Sequence, residues 1–150
     1  MQLTSSAFEH NQPIPEKFSC DGQNISPALS WEGAPAETES YVLICDDPDA
    51  PGGTFVHWVY YNIPAEVKRL PEAVKTAPEP APGGQQGKNS FGKTGFGGPC
   101  PPGGTHRYFF TLYALDFKLD AGAGLDKQKL MKAIDGHVLA EAQLMGTYSR

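Results

Sequence analysis

The chain has 150 residues, a net charge of −5 at pH 7 and a sequence pI near 5.3, with 39% hydrophobic residues. These values are typical of one globular domain, here residues 1–150, that is long enough to bury a hydrophobic core. The acidic balance and the lack of a Lys/Arg cluster exclude a nucleic-acid partner, because binding to a phosphate backbone needs a basic surface.

Targeting signals and cysteines indicate the compartment. No apolar run approaches the roughly 20 residues of a membrane span, and residues 1–20 show neither the basic start nor the apolar stretch of a signal peptide. The three cysteines, Cys20, Cys45 and Cys100, are odd in number and widely spaced, which indicates neither a disulfide framework nor a CxxC site. We therefore expect reduced thiols and a cytoplasmic location, with one Cys20–Cys45 or Cys45–Cys100 bridge left open.

Three segments have the pattern of buried strands. Tyr41–Cys45 is a continuous apolar run, while Thr54–Ile63 and His106–Leu115 alternate with period two. Both faces of the two longer segments are largely apolar, which predicts central strands covered on each side. The predicted faces are Phe55, His57, Val59, Tyr61 and Ile63 against Val56, Trp58, Tyr60 and Asn62, and, in the third strand, His106, Tyr108, Phe110, Leu112 and Ala114.

The rest of the chain is richer in turns, with 17 glycines and 14 prolines in all. Residues 71–105 contain too many of both for a regular helix or a central strand, and we predict a long ordered crossover anchored by its aromatic residues. The C-terminal quarter predicts two helices separated by Gly136, the first with Asp126 as its N-cap. The predicted helical face is Leu130, Ile134, Val138, Ala142 and Met145.

Three carboxylates follow the first predicted strand within four residues, with prolines between and after them. Asp46, Asp47 and Asp49 repel one another, so a metal, a cationic group or a hydrogen-bonding pocket would offset the cost. The structural alternative is a solvated turn. Two histidines, His57 and His106, fall near strand ends beside glycine- and proline-rich loops, where binding sites are often built.

Metal and nucleophilic chemistry are both weakly supported by these residues. The spacing of the acids fits no calcium loop, and the chain has no HExxH motif. Cys100 is flanked by Pro99 and Pro101 and so lacks a helix N-terminus that would activate its thiol, and no GxSxG motif occurs. We expect neither a metal nor a cofactor.

A small anion suits the same residues better. Histidines donate hydrogen bonds to phosphate or carboxylate, and an aspartate can hold the second ring nitrogen. The backbone N–H groups of Gly103-Gly104-Thr105 are expected to approach such an anion, because glycine presents no side chain. Tyr108 shares the predicted face of His106, so its hydroxyl is expected in the same pocket.

Several motifs in the same order resemble the phosphatidylethanolamine-binding proteins, in the branch of bacterial and archaeal Raf-kinase-inhibitor-like proteins. The resemblance runs from about residue 3 to residue 148. The motifs are Ser26-Pro27-Ala28-Leu29-Ser30-Trp31, Asp47-Pro48-Asp49-Ala50-Pro51, His57-Trp58, Gly97-Gly98-Pro99-Cys100-Pro101-Pro102, His106-Arg107-Tyr108 and Gly136-His137-Val138-Leu139-Ala140-Glu141.

The resemblance implies a mainly β fold, an antiparallel two-sheet β-sandwich with C-terminal helical elements. It also implies a small pocket for phosphate or the phosphoryl head of phosphatidylethanolamine, in which Asp47 orients a histidine or meets the ligand ammonium. Carried over to this chain, the pocket consists of Asp47, Pro51, His57, Pro101, Pro102, His106 and Tyr108.

The chain also departs from the family pattern. Cys100 stands where eukaryotic members have glycine, the loop from Pro102 to His106 is shorter, and the helix that closes the pocket in animal members is not recognisable. Kinase inhibition is therefore not carried over directly. The family further implies a homodimer, and a kinase or a protease as partner.

Three interpretations follow. The leading one is a non-enzymatic binding module for phosphate or phosphorylated headgroups that regulates a kinase or a protease. The alternative is a hydrolase or phosphotransfer enzyme that uses His57, His106 and Asp47 as acid and base. A third, from protease-inhibiting family members, is that the loop over residues 76–96 blocks a peptidase.

Overall fold

The computed structural model describes all residues 1–150 and contains two β-sheets and one α-helix. A six-stranded sheet has the order β2-β9-β8-β4-β5-β7, and a three-stranded sheet has the order β1-β3-β6. The strands are β1 (Gln2–Thr4), β2 (Gln12–Pro13), β3 (Leu29–Glu32), β4 (Ser40–Asp47), β5 (Phe55–Pro64), β6 (Arg69–Leu70), β7 (Gln85–Gln86), β8 (Thr105–Leu115) and β9 (Val138–Ser149), and the helix is α1 (Lys127–Ile134).

The main core lies between the two sheets. Apolar side chains of the small sheet, such as Leu3 and Trp31, pack against inward-facing side chains of the large sheet, such as Leu43, Trp58 and Phe110. Except for the short parallel pair of β2 with β9, all strand pairs are antiparallel. The prediction of a mainly β, two-sheet sandwich is confirmed.

The outer face of the large sheet is covered by α1. Leu130 and Ile134 of the helix pack on Val42 and Ile44 of β4 in a second core cluster. The carboxylate of Asp126 accepts a hydrogen bond from the backbone N–H of Lys129 at 2.8 Å, the N-cap predicted from the sequence. β4 is apolar on both of its faces, because the small sheet covers one face and α1 covers the other. No helix in the structure has the length and hydrophobicity that crossing a membrane requires.

The predicted second C-terminal helix is wrong. The chain does leave α1 at Gly136, where φ is +82°, but residues 138–149 form β9, which pairs along β8 from Val138 to Ser149. Ala142, Leu144 and Tyr148 alternate inward as in a strand. Apolar residues stand at odd and at even positions of this segment, so its sequence also fits a helical period. Pairing with the long central strand β8 makes it a strand.

The alternation predicted for the second strand also fails, at two points. β5 changes register against β4 between the partners of Tyr41 and Leu43, where Asn62 has φ +53°, and Ile63 consequently packs with Trp58 in the main core. A second register shift, opposite Cys45 and Asp46, places His57 off the sheet face on which Val59 lies. β-bulges of this kind re-aim side chains, and periodicity alone does not reveal them.

The segment between β6 and β8 is an ordered crossover, as predicted. It contains only β7 and an isolated bridge between Lys88 and Thr94. The fully buried Gln86 holds it, since its amide donates to the carbonyls of Lys75 and Ala77 and accepts from the indole N–H of Trp58. A polar anchor with every hydrogen bond satisfied fixes a loop that has few regular elements.

The expectation of three reduced thiols is wrong. Cys20 and Cys100 form a disulfide across 80 residues of sequence, and Cys45 is the buried free thiol. Cys45 faces the core from β4, so neither bridge left open by the sequence forms. The expected cytoplasmic location loses the support that reduced thiols gave it, because structural disulfides are rare in reducing compartments.

Replacing Cys20 and Cys100 together by alanine is expected to lower the free energy of unfolding by about 2–5 kcal/mol, because the bridge restricts the unfolded chain across 80 residues. Urea unfolding with and without dithiothreitol measures the difference. Reductant should destabilise the wild type and leave the double variant unchanged. Equal midpoints for oxidised wild type and double variant would contradict the stabilising role.

Candidate functional site

A cavity of about 220 Å³ opens at one end of the large sheet. All seven residues predicted for the pocket line it, and four further residues complete the wall. The predicted residues are Asp47, Pro51, His57, Pro101, Pro102, His106 and Tyr108, and the others are Ala50, Phe55, Phe91 and Cys100. The structure thus brings the predicted set together, while its binding of a ligand stays a prediction.

The topology explains why these residues converge. β4 lies between β5 and β8 and is antiparallel to both, so its end meets the starts of its two neighbours. Asp47 is the last residue of β4, His57 lies near the start of β5, and His106 is the second residue of β8. Tyr108 follows His106 on the same face of β8. Residues far apart in sequence therefore meet at one sheet end.

Asp47 and His106 form a buried pair across two neighbouring strands. The Nδ1 atom of His106 lies 2.6 Å from Oδ2 of Asp47, and the two side chains are 9% and 4% exposed. The second oxygen of Asp47 accepts from the backbone N–H of Asp49 at 2.7 Å. Because the carboxylate accepts, Nδ1 of His106 carries the proton and Nε2 is left without a protein partner.

His57 is held by the backbone instead of by an acid. Its Nδ1 lies 2.6 Å from the carbonyl oxygen of Gly97, which only accepts, so this ring also carries its proton on Nδ1. Burial is the largest influence on this group and lowers the pKa of His57 below 6.5, although the Gly97 hydrogen bond and the Asp47 charge oppose it. The ring packs edge-on against Tyr108, with centroids 5.2 Å apart.

The Tyr108 hydroxyl is the unsatisfied polar group of the cavity wall. It is buried and has no hydrogen-bond partner in the protein. Burial, together with the nearby Asp47 charge, raises the pKa of Tyr108 well above its ordinary value, so the phenol keeps its proton and remains a donor. A buried donor without a partner is rare in folded proteins and costs about 1–3 kcal/mol.

An aromatic rim stands at the mouth of the cavity. Phe91 is 43% exposed and packs edge-on against both Phe55 and His57. The buried side chain of Asn89 fixes its loop by accepting from the backbone N–H groups of Phe91 and Lys93. From the sequence, Phe91 is expected only as one of the aromatic residues that anchor the loop. No sequence pattern predicts its position beside His57, because that position depends on the conformation of the loop.

Each acid of the Asp-Asp-Pro-Asp stretch has its own side-chain partner. Besides the Asp47 pair, Asp46 binds Lys127 at the start of α1, and Asp49 binds the guanidinium of Arg107 in a two-point contact at 2.8 and 2.9 Å. The Arg107 hydrogen bonds lower the pKa of Asp49 to about 2. Asp46 and Asp49 do not line the cavity. No group of three or more His, Cys, Asp or Glu side chains is placed to hold a metal ion.

One predicted contribution to the pocket is wrong. The N–H and carbonyl groups of Gly104 pair with the carbonyl and N–H of Arg150, so the Gly103-Gly104-Thr105 turn does not offer them to an anion. None of the three residues lines the cavity. The turn instead secures the C-terminal residue to the start of β8.

Comparison with known proteins is consistent with this architecture. A model of the family described as phosphatidylethanolamine-binding protein matches residues 4–149. The chain belongs to the phosphatidylethanolamine-binding protein family. The resemblance read from the ordered motifs is therefore confirmed.

Relatives and solved structures support the same membership. A UPF0098 protein of Methanothermobacter thermautotrophicus is 51% identical over 150 residues, covering 100% of this chain and 99% of that protein. CT736 of Chlamydia trachomatis, described as a phosphatidylethanolamine-binding protein homolog, is 44% identical with a TM-score of 0.90, covering 99% of this chain and 97% of that one. E. coli YbcL, described as a new member of the mammalian family, is 33% identical with a TM-score of 0.92, covering 99% and 98%.

In this family member, the buried His57 should make stability depend on pH. Its folded-state pKa is lowered, so between that value and 6.5 the unfolded chain binds the extra proton. Stability present above pH 6.5 is therefore lost as the pH falls, by at most about 1.4 kcal/mol per pH unit from this one group. Urea unfolding from pH 7.5 to pH 5 should show a smaller loss for His57→Gln than for the wild type.

The matched control is His137→Gln, because His137 is 43% exposed and lies outside the cavity. This variant should follow the wild type over the same pH range. An acid-induced loss as steep in His57→Gln as in the wild type would show that His57 does not titrate as its burial requires.

Proposed function

We propose that the chain is a non-enzymatic binding module whose cavity holds phosphate or the phosphoryl group of a small phosphorylated molecule, such as a lipid headgroup. The observation that carries the proposal is the buried Tyr108 hydroxyl, a donor without a protein partner beside two histidines. A ligand oxygen in the cavity would satisfy it. Family membership is the coarser support.

The two imidazoles present their second ring nitrogens to such a ligand. Both use Nδ1 for a protein acceptor, which leaves Nε2 of each ring for the ligand. In the neutral ring Nε2 only accepts, whereas in the imidazolium it donates and carries positive charge. An anion oxygen at Nε2 therefore requires a protonated ring, unless the ligand itself brings a proton.

The hydrolase or phosphotransfer alternative lacks an observation in its favour. Cys100 is the one cysteine in the cavity wall, and its sulfur is bonded to Cys20 and so is not a free thiol. His106 is committed to Asp47 in a pair that resembles an acid–base couple, but the cavity lining contains no serine or threonine for that couple to activate. We therefore propose binding, and the experiment below includes a readout for turnover.

The cavity does not bear on the expected partner proteins or on the cellular location. A kinase or protease partner, a homodimer and a peptidase-blocking role of residues 76–96 remain implications of the family resemblance, and we do not build the proposal on them. The Cys20–Cys100 disulfide favours an oxidising compartment over the expected cytoplasmic location.

Titration with phosphate and then phosphoethanolamine, followed by NMR, tests the proposal. We expect chemical shift changes at His57, His106 and Tyr108 and no release of phosphate from the ester over a day. The double variant His57→Ala/His106→Ala should lose binding at least about tenfold and keep a cooperative thermal transition, since both ring nitrogens available to the ligand are removed. His137→Ala is the control variant and should bind like the wild type.

Absence of shifts at the cavity residues would contradict binding there. Phosphate that appears from the ester and disappears in the double variant would make the chain an enzyme. Loss of the cooperative transition in the double variant would call for the single variants His57→Gln and His106→Gln, which keep side-chain volume and a polar group.

The pH dependence of sulfate binding tests the role of the imidazolium, because sulfate does not titrate between pH 5 and pH 8. Burial keeps the pKa of His57 below 6.5, so the free protein holds this ring neutral at pH 8. A bound anion favours the charged ring, and sulfate affinity should therefore rise as the pH falls below about 6.5. Calorimetric titration at several pH values measures it, and a flat affinity would exclude histidine charge as the source of binding.

A further inference from the structure

The Cys20–Cys100 disulfide joins the linings of two cavities. Cys100 lines the cavity of the candidate site, Cys20 lines a groove of about 520 Å³, and Phe91 contributes to both. Both cysteines are partly exposed. We therefore expect a small reductant to reach the bond from the groove, while Cys100 forms part of the wall of the candidate site.

The segment that carries Cys100 also positions His57. Gly97 accepts from Nδ1 of His57, Gly98 donates to the side-chain oxygen of Asn24, and Pro99 accepts from the N–H of Cys20 at 3.0 Å. Gly98 must be glycine, because a Cβ there would collide with the Phe18 carbonyl. The chain around Cys20 and the chain around Cys100 are thus held in contact by the backbone as well as by the bond.

A guanidinium stands beside the sulfur of Cys100. Nη1 of Arg150 lies 3.7 Å from Sγ of Cys100, and Nη2 lies 2.9 Å from Oδ1 of Asp21. The backbone of Arg150 pairs in both directions with Gly104, which keeps the residue in place. A cation beside a thiol favours the thiolate, and a stabilised thiolate is the better leaving group in thiol–disulfide exchange.

We propose that the Cys20–Cys100 disulfide is a redox control of the anion site, in which a dithiol reductant releases the Cys100 thiolate into the cavity wall and weakens anion binding. The inference rests on the proposed function, because it concerns the same cavity. Its physical basis is the new negative charge on a residue that lines the same cavity, which repels the anion. Oxidation removes the charge and restores the site.

A dithiol reduces the Cys20–Cys100 bond in two exchange steps. One thiolate of the dithiol attacks Sγ of Cys20 from the groove, where Lys93 is the nearby cation. A bond forms between that sulfur and Cys20, the Cys20–Cys100 bond breaks, and its electron pair goes to Cys100. The second thiol of the dithiol displaces Cys20, which takes up a proton. The dithiol is oxidised to its disulfide by two electrons, and the protein disulfide is reduced.

Phosphate binding by oxidised and by dithiothreitol-reduced protein at pH 8 tests the proposal. Oxidised protein should bind, and failure at this step counts against the proposed function itself. Reduced protein should bind at least about tenfold more weakly, as expected for a like charge in the wall of the same cavity. Reoxidation with oxidised glutathione should restore the affinity. Equal affinity in the two redox states overturns the redox control.

Two variants separate the charge of Cys100 from loss of the bond. Both Cys20→Ala and Cys20→Ala/Cys100→Ala lack the disulfide, but only the first keeps the Cys100 thiol. The single variant should bind phosphate about tenfold more weakly than the double variant, and neither should respond to dithiothreitol. Equal affinities overturn the proposal. Reduction that abolishes the cooperative thermal transition of the wild type also overturns it, because the bond would then be structural only.

Discussion

The geometry of the site depends on compensation of the buried Asp47 carboxylate. This side chain ends a strand that is covered on both faces, and it is only 4% exposed. An unpaired carboxylate at such a position would cost several kcal/mol, so both of its oxygens need partners. His106 supplies one and the backbone of Asp49 supplies the other. The alignment of β4 with β8 and the tight turn after β4 are both tied to that one group.

The neighbouring acids illustrate the same constraint at lower cost. Asp46 and Asp49 carry the chain out of the core toward solvent, and each is bound by a cation from another element, Lys127 of α1 or Arg107 of β8. Like charges that looked like a ligand-binding cluster in the sequence are thus distributed in three directions. Only the middle one, Asp47, reaches the cavity.

Periodicity predicts an element of the fold correctly where its residues fit only one type of secondary structure. β4, β5 and β8 were located from the sequence because a buried strand requires apolar residues on both faces. β9 was assigned to a helix because Val138 to Met145 fit either period, and only its eleven-pair alignment with β8 decides the matter. The bulge at His57 likewise depends on how β5 meets β4. Local patterns do not contain such choices.

The ordered family motifs predict more of the candidate site than the chemistry of its individual residues does. The Asp-Pro-Asp-Ala-Pro and His-Arg-Tyr stretches named the residues of the cavity, while Phe91 and the Cys20–Cys100 pairing came from tertiary contacts with no local pattern. An odd number of cysteines favoured reduced thiols on composition. The pairing instead follows from two loop segments that backbone hydrogen bonds already hold together.

The donors and acceptors of the cavity determine which protonation form of the proposed anion can form hydrogen bonds with them. With both histidines neutral, the free ring nitrogens accept, while the Tyr108 phenol donates. The two accepting nitrogens need two donors, so a phosphate group that carries two protons matches this pattern without a charged imidazole. A monoprotonated group matches one ring and requires the other to be protonated, and a fully deprotonated anion requires both rings to be protonated. Because burial opposes the charged form of His57, we expect the proposed anion site to discriminate near neutral pH by the protons that a ligand carries as well as by its charge.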